Sequence, residues 1–239
     1  MTAAAHRHLA RDPVMRRLIR RHGPYRLEPH GRSPYETLVR AIAHQQLNGR
    51  AAETILGRFV ALFPEGRFPA PAAVLTARAA TLRRAGFSRA KVRAIKDIAR
   101  HAVKGVVPTR RACRRLGDEE MIERLTRIHG VGRWTVEMLL IFTLGRLDVL
   151  PVDDFGVREG FRHAYGRRTQ PTPKALRVFG ERWKPYRSVA AWYLWRAGAR
   201  RAAEDEVAAN TSPPCRLRAR PAMSDHSAPV RRRPWSSTR

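Results

Sequence analysis

Leu125-Thr126-Arg127-Ile128-His129-Gly130-Val131-Gly132-Arg133-Trp134-Thr135 sets a Gly-x-Gly turn between two stretches whose apolar residues recur at helical spacing. Glycines at such a turn permit positive φ and remove Cβ atoms, so the N–H groups that open the following helix can come close to a phosphate. Read alone, the stretch is either a grip on the DNA backbone or an ordinary helix–helix turn. Its neighbours on both sides decide between these.

Outward from the turn, the chain reads as helix after helix, with almost no alternating strand pattern. Ser33-Pro34-Tyr35-Glu36 combines a capping serine, a first-turn proline and a glutamate three residues after the cap, ahead of Leu38, Val39 and Ile42. Similar signals predict helices over 48–63, 88–104, 118–128, 134–144, 154–165, 172–183 and 185–200. The fold expected is all-α. Beyond Arg201 the periodic apolar faces disappear and Pro, Ser and charge take over, so 1–200 is read as the folded domain and 201–239 as a basic disordered tail.

The 239 residues carry 48 Lys plus Arg against 20 Asp plus Glu, a formal net charge of +28. Eight basic and four acidic residues leave only +4 on the tail, so the domain itself holds +24. A polyanion is the expected partner, nucleic acid before an anionic membrane. The 43 arginines against 5 lysines are a compositional skew that tempers this reading. Two cysteines, Cys113 and Cys215, fall short of the four thiolates of an iron–sulfur cluster or a cysteine-only zinc site, and a disulfide scaffold is equally unsupported. No apolar run approaches the roughly 20 residues of a spanning helix, and the first residues lack the apolar core of a secretory signal. The expectation is a soluble intracellular protein, cytoplasmic and nucleoid-associated if bacterial.

Two further stretches bear chemistry. Leu150-Pro151-Val152-Asp153-Asp154-Phe155-Gly156 opens a helix with two acids where a cap needs one. Trp183-Lys-Pro185-Tyr186-Arg187-Ser188-Val-Ala-Ala-Trp192-Tyr193-Leu194-Trp195 gathers three of the five tryptophans, as core packing or as a pocket wall.

In this order and spacing, the hairpin, the Asp148–Asp154 segment, the Pro185–Trp195 segment and the early Arg40-Ala-Ile-Ala-His-Gln-Gln-Leu47 closely resemble the helix-hairpin-helix DNA glycosylase superfamily, specifically the DNA-3-methyladenine glycosylase II family. The match spans about residues 5–200. The resemblance implies two helical lobes with a cleft between them, into which a damaged nucleotide of double-stranded DNA is flipped for removal of its base. It implies a monomer, and a start near residue 1 leaves no room for the extra β domain of some members.

Carried over by position, Asp154 aligns with the catalytic aspartate and Asp153 with a helix-start or supporting acid. Trp134 and Trp195 align with aromatics of the base pocket, and Met138 stands where some relatives carry a tyrosine. Trp134 also occupies the place of the Schiff-base lysine of glycosylases that nick the backbone, so hydrolysis by water is implied. Gly130, Val131, Gly132, Arg133 and Thr135 align with the DNA-binding hairpin. Gln46 and Leu47 align with the loop that fills the gap left by the flipped base, although they read equally well as a polar helix end. No cofactor is required. The carbonyls of Thr126, Ile128 and Val131 match those that hold a monovalent cation, Na+ or K+, in relatives. The function implied is excision of alkylated purines such as 3-methyladenine and 7-methylguanine. Its rivals are a non-catalytic helix-hairpin-helix DNA-binding protein, a glycosylase of the same fold for another lesion, and a helical protein that binds RNA or membrane through charge alone.

Overall fold

Several helices begin where the sequence supplies a capping side chain. Ser33, Asn48, Ser88 and Thr172 each accept the N–H of the residue three positions on, at 2.8–3.2 Å. The computed structural model describes residues 2–64 and 66–211. Its helices are α1 (Thr2–Leu9), α2 (Pro13–His22), α3 (Pro34–His44), α4 (Gly49–Ala61), α5 (Pro71–Thr76), α6 (Ala79–Arg84), α7 (Arg89–Val103), α8 (Arg110–Cys113), α9 (Asp118–Leu125), α10 (Arg133–Met138), α11 (Phe155–Ala164), α12 (Pro173–Gly180) and α13 (Arg187–Thr211). No strand occurs among the described residues, as expected.

Three boundaries differ from the sequence reading. The expected helix 134–144 is α10 followed by a π-helical turn over Leu139–Thr143, and α12 tightens into a 3-10 turn over Glu181–Trp183. Helix α13 runs to Thr211 rather than Arg200, and the rest of the expected tail, 212–239, lies outside the described residues. Helices α1, α2, α5, α6 and α8 were not foreseen. The first two matter most, because they complete a lobe at the far end of the chain.

Apolar burial divides into two cores. One collects Leu38, Ile42, Phe59, Ile95, Leu125 and Leu140 from α3 through the π turn. The other collects Met15, Leu18, Phe161, Trp183, Tyr193 and Leu194, from α1–α2 and α11–α13. Hydrogen bonds from the Tyr193 hydroxyl to the Gly23 carbonyl (2.8 Å) and from the Tyr165 hydroxyl to Asp12 Oδ2 (2.6 Å) tie the chain start to this second lobe. Trp195 packs against both cores, its ring 5.5 Å from that of Phe142 in the π turn. It marks the seam between the lobes.

Helices α11 and α13 approach so closely that only glycine fits between them. A Cβ on Gly160 would sit 1.9 Å from the Leu194 carbonyl oxygen, and one on Gly156 2.9 Å from Trp195 Cδ1. This contact delivers Trp195 to the first turn of α11. No helix among the described residues is long and apolar enough to cross a membrane.

Candidate active site

The segment before α11 is pinned at several points by the start of α13. Ser188, fully buried, accepts the Val149 N–H at 2.9 Å and donates to the Val149 carbonyl at 3.1 Å. Arg187 grips Asp148 through Nε at 2.8 Å and Nη2 at 3.0 Å, the strong two-pronged form of the ion pair. Two of the sequence motifs therefore meet in space, and together they fix the backbone that leads into Asp153 and Asp154.

Asp154 is the N-cap of α11. Its Oδ1 accepts the Val157 N–H at 2.8 Å and the indole N–H of Trp195 at 2.7 Å. Its Oδ2 accepts the indole N–H of Trp134, also at 2.7 Å. A carboxylate offers about four acceptor positions, so three donors leave roughly one free. The carboxylate is thus partly buried, oriented from three sides and still able to take a further ligand. The expected helix-start role of Asp153 is corrected, because Asp154 itself caps the helix. Asp153 is exposed, with no side-chain hydrogen bond among the described residues. Phe155, which the sequence reading passed over, follows with 71% of its surface exposed.

The two tryptophans differ in setting. Trp195 is wedged at the lobe seam, whereas Trp134 is 46% exposed. Trp134 also forms part of the wall of a cleft of about 680 Å³, together with Met138, Thr135, Gly130, Gln46 and Lys91 among others. Asp154 is not in that wall, so Trp134 stands between the cleft and the carboxylate, bonded to the latter. The cleft surface is mostly apolar carbon, as a planar base requires.

The hairpin is held from behind by residues that the sequence reading did not single out. Asp97, buried on α7, accepts the His129 N–H at 2.7 Å, and Gln45 Nε2 donates to the Gly130 carbonyl at 3.2 Å. Gly130 has φ +83°, and a Cβ there would meet Ala94 Cβ at 2.9 Å. Gly132, in contrast, has an extended backbone (φ −91°) and open space where a Cβ would lie. Positive φ therefore explains only one of the two glycines. The wedge candidates sit beside this turn. Gln46 is exposed, borders the cleft and has φ +57°, while Leu47 is 40% exposed and lies outside the cleft wall. Lys91 donates to the Ala43 carbonyl at 2.8 Å, bracing the end of α3 that carries this loop, and burial lowers its pKa.

Arg133, expected to face phosphate, is turned onto acids. Its guanidinium pairs with Glu119 of α9 and, through Nε at 3.1 Å, with Glu137 one turn along α10. Thr135, also expected to face DNA, is buried in the cleft wall.

Two helical lobes, a glycine hairpin braced from behind and a helix-capping carboxylate clasped across the lobe seam define a helix-hairpin-helix protein of the kind that works on DNA. The chain belongs to the HhH-GPD superfamily of base excision DNA repair proteins, whose profile matches residues 39–185. It is 42% identical over 187 residues to DNA-3-methyladenine glycosylase 1 of Schizosaccharomyces pombe, covering 77% of this chain and 82% of that protein. The structure of the Schizosaccharomyces pombe 3-methyladenine DNA glycosylase in complex with abasic DNA superposes with a TM-score of 0.73, over 81% of this chain and 95% of that one. That of DNA-3-methyladenine glycosidase from Bacillus halodurans, 35% identical, superposes with a TM-score of 0.75 over 82% and 89%.

Proposed function

We propose that this chain is a monofunctional DNA glycosylase that flips alkylated purines out of duplex DNA and hydrolyses their N-glycosidic bond. The observation that carries this reading is the Asp154 carboxylate, held by three N–H donors with acceptor capacity to spare, beside an apolar cleft bordered by Trp134. Breaking the bond between base and sugar develops positive charge on the deoxyribose. A fixed anion stabilises that charge without reorganising and can orient the attacking water. Because the N–H donors hold Asp154 in place, little motion is needed at the moment of reaction.

Trp134 occupies the position where a Schiff-base lysine would lie, and an indole offers no amine to attack the sugar, which supports hydrolysis by water. The same residue supports a preference for cationic bases. A methylpurine with a formal positive charge gains on the order of 0.5–2 kcal/mol against an indole face and leaves as a neutral molecule, so it hardly needs a general acid. Gln46, at the cleft border, and Leu47 beside it would fill the vacated stack. The carbonyls of Thr126, Ile128 and Val131 would hold a monovalent cation, which would bridge the hairpin to a phosphate. These neutral oxygens lie on one turn, where Ile128 already accepts the Val131 N–H at 3.1 Å.

Release of methylated bases from alkylated duplex DNA tests the proposal. The wild-type protein should release 3-methyladenine and 7-methylguanine, and Asp154→Asn, which caps a helix as well as aspartate does, should lose orders of magnitude in rate with DNA binding intact. Undiminished excision by Asp154→Asn would remove the carboxylate from the mechanism, and preferred release of uracil or 8-oxoguanine would remove the argument from the indole.

A further inference from the structure

A second cavity, of about 410 Å³, lies beside α10 and is lined by charge, unlike the apolar cleft. Glu137 reaches it from α10 with 2% of its surface exposed. One carboxylate oxygen, Oε1, accepts Arg133 Nε, and the other, Oε2, is buried without a hydrogen-bond partner among the described residues. Burial pushes this carboxyl up to about 7, against the opposing pull of Arg133 and with help from the charges of Asp153 and Glu119. The remaining charged groups around the cavity are Asp118 beside Glu119 on α9, Asp148 before α11, Arg177 on α12, Glu181 in the 3-10 turn and Arg187 on α13. Arg187 is taken up by Asp148 and Glu181, and Arg146 pairs with Asp118. Arg177 is exposed and its charge is not among those that act on Glu137, so among the described residues Arg133 is the cation that balances Glu137.

Arg133 is also the residue that directly follows the hairpin glycine Gly132, where a backbone phosphate would approach. A phosphate must compete for its guanidinium with two acids of unlike cost. Glu119 is exposed and stays solvated when it loses its partner. Ionised Glu137 would be left buried and unpaired, which is strongly unfavourable, whereas protonated Glu137 loses nothing comparable. We propose that Glu137 is a positioning residue for the DNA grip: ionised, it keeps Arg133 folded back on α10; protonated, it releases Arg133 to a backbone phosphate, so that binding DNA takes up a proton.

The inference rests on the reading that the hairpin binds DNA. The sign follows from linkage. Losing Arg133 to a phosphate raises the proton affinity of Glu137 in the complex above that of the free protein. The association constant is therefore at its high plateau below about pH 7 and falls as pH rises, by up to about tenfold per unit.

Binding of an undamaged duplex, followed by fluorescence anisotropy from about pH 6.5 to about pH 9 at several salt concentrations, tests it. Wild type should weaken as pH rises and its log K–log salt slope should shrink by about 0.9, the share of one phosphate contact. Glu137→Gln should hold the tight, steep-slope behaviour throughout. The other titratable groups are the same in wild type and Glu137→Gln, so their contribution cancels in the comparison. Arg133→Gln should bind weakly with no pH dependence above pH 7, and it serves alone should Glu137→Gln fail to fold. A pH profile shared by wild type and either variant overturns the proposal. Failure of wild type to bind the duplex at any pH overturns the reading of the hairpin itself.

Discussion

Gly160→Ala tests whether the helix contact behind the site is what aligns the carboxylate. The new Cβ would fall 1.9 Å from the Leu194 carbonyl oxygen, 2.5 Å from its carbon and 3.1 Å from its Cα. All three are backbone atoms, so no side-chain rotation relieves the clash. To restore an ordinary contact of 3.4 Å, α13 must recede by about 1.5 Å. Trp195 follows Leu194 on that helix, and its N–H lies 2.7 Å from Asp154 Oδ1, so the same shift opens the bond to about 4.2 Å and breaks it. Overpacking should cost about 1–3 kcal/mol of stability. Misplacing the catalytic frame by more than 1 Å should cost about 100-fold in rate. The assay is single-turnover release of methylated bases at a temperature where circular dichroism shows the variant fully folded, alongside its denaturation midpoint. A folded Gly160→Ala protein excising at the wild-type rate would refute the argument that α11–α13 contact positions Asp154.

Three further outcomes are expected. Gln46→Gly should relieve a left-handed backbone and raise stability by about 1 kcal/mol, measured by chemical denaturation, while slowing base flipping because the wedge side chain is gone; equal excision rates would remove Gln46 from the wedge. Glu137 has a folded-state pKa raised above its unfolded value, so it favours the folded state at acidic pH and that contribution is lost as pH rises from about 4.5 through about 7. Glu137→Gln should therefore be more stable than wild type above pH 7, by an amount on the order of 3 kcal/mol, with the gap closing towards about pH 4.5; a gap that widens on acidification would reverse the assignment. Borohydride added during turnover should trap no covalent protein–DNA adduct, since Trp134 has no amine; efficient trapping would point to a lysine, with Lys91 in the cleft wall the first to replace.

Caps and apolar periodicity are local, and the helices they announce stand where the sequence predicts them. Ser33, Asn48, Ser88 and Thr172 each cap the helix expected after them. Asp12-Pro13, ahead of Met15 and Leu18, carries the same signal, and α2 was legible from it. The π turn after Met138 was not, because Leu139–Phe142 is apolar in any helical register and the turn closes on a tertiary contact, Thr37 Oγ1 to Thr143 Oγ1 at 3.0 Å. Asp97 was discoverable in principle, as an acid between Ile95 and Ile98 on a buried face must find a donor, here the His129 N–H. The Arg133–Glu137 pair was visible too, since residues four apart share a helix face. What the sequence could not give was Glu137's burial, which converts an ordinary surface pair into a competitor for the DNA phosphate.

The two hydrogen bonds that Asp154 receives from indoles come from different bodies, and this difference assigns them different work. Trp195 and Asp154 both belong to the lobe built from α11–α13 and the chain start, and their bond is sealed by the glycine contact of those helices. Trp134 stands on α10, in the lobe of α3 through the π turn, so its bond to Oδ2 crosses the seam. A change in lobe spacing strains the second bond directly and reaches the first only through the contact of Trp195 with Phe142 at the seam. Trp195 therefore fixes the orientation of the carboxylate irrespective of what occupies the cleft. Trp134, half exposed and facing that cleft, is the partner that an incoming base meets first, so in the proposed mechanism it is the bond to Oδ2 that responds to what occupies the cleft.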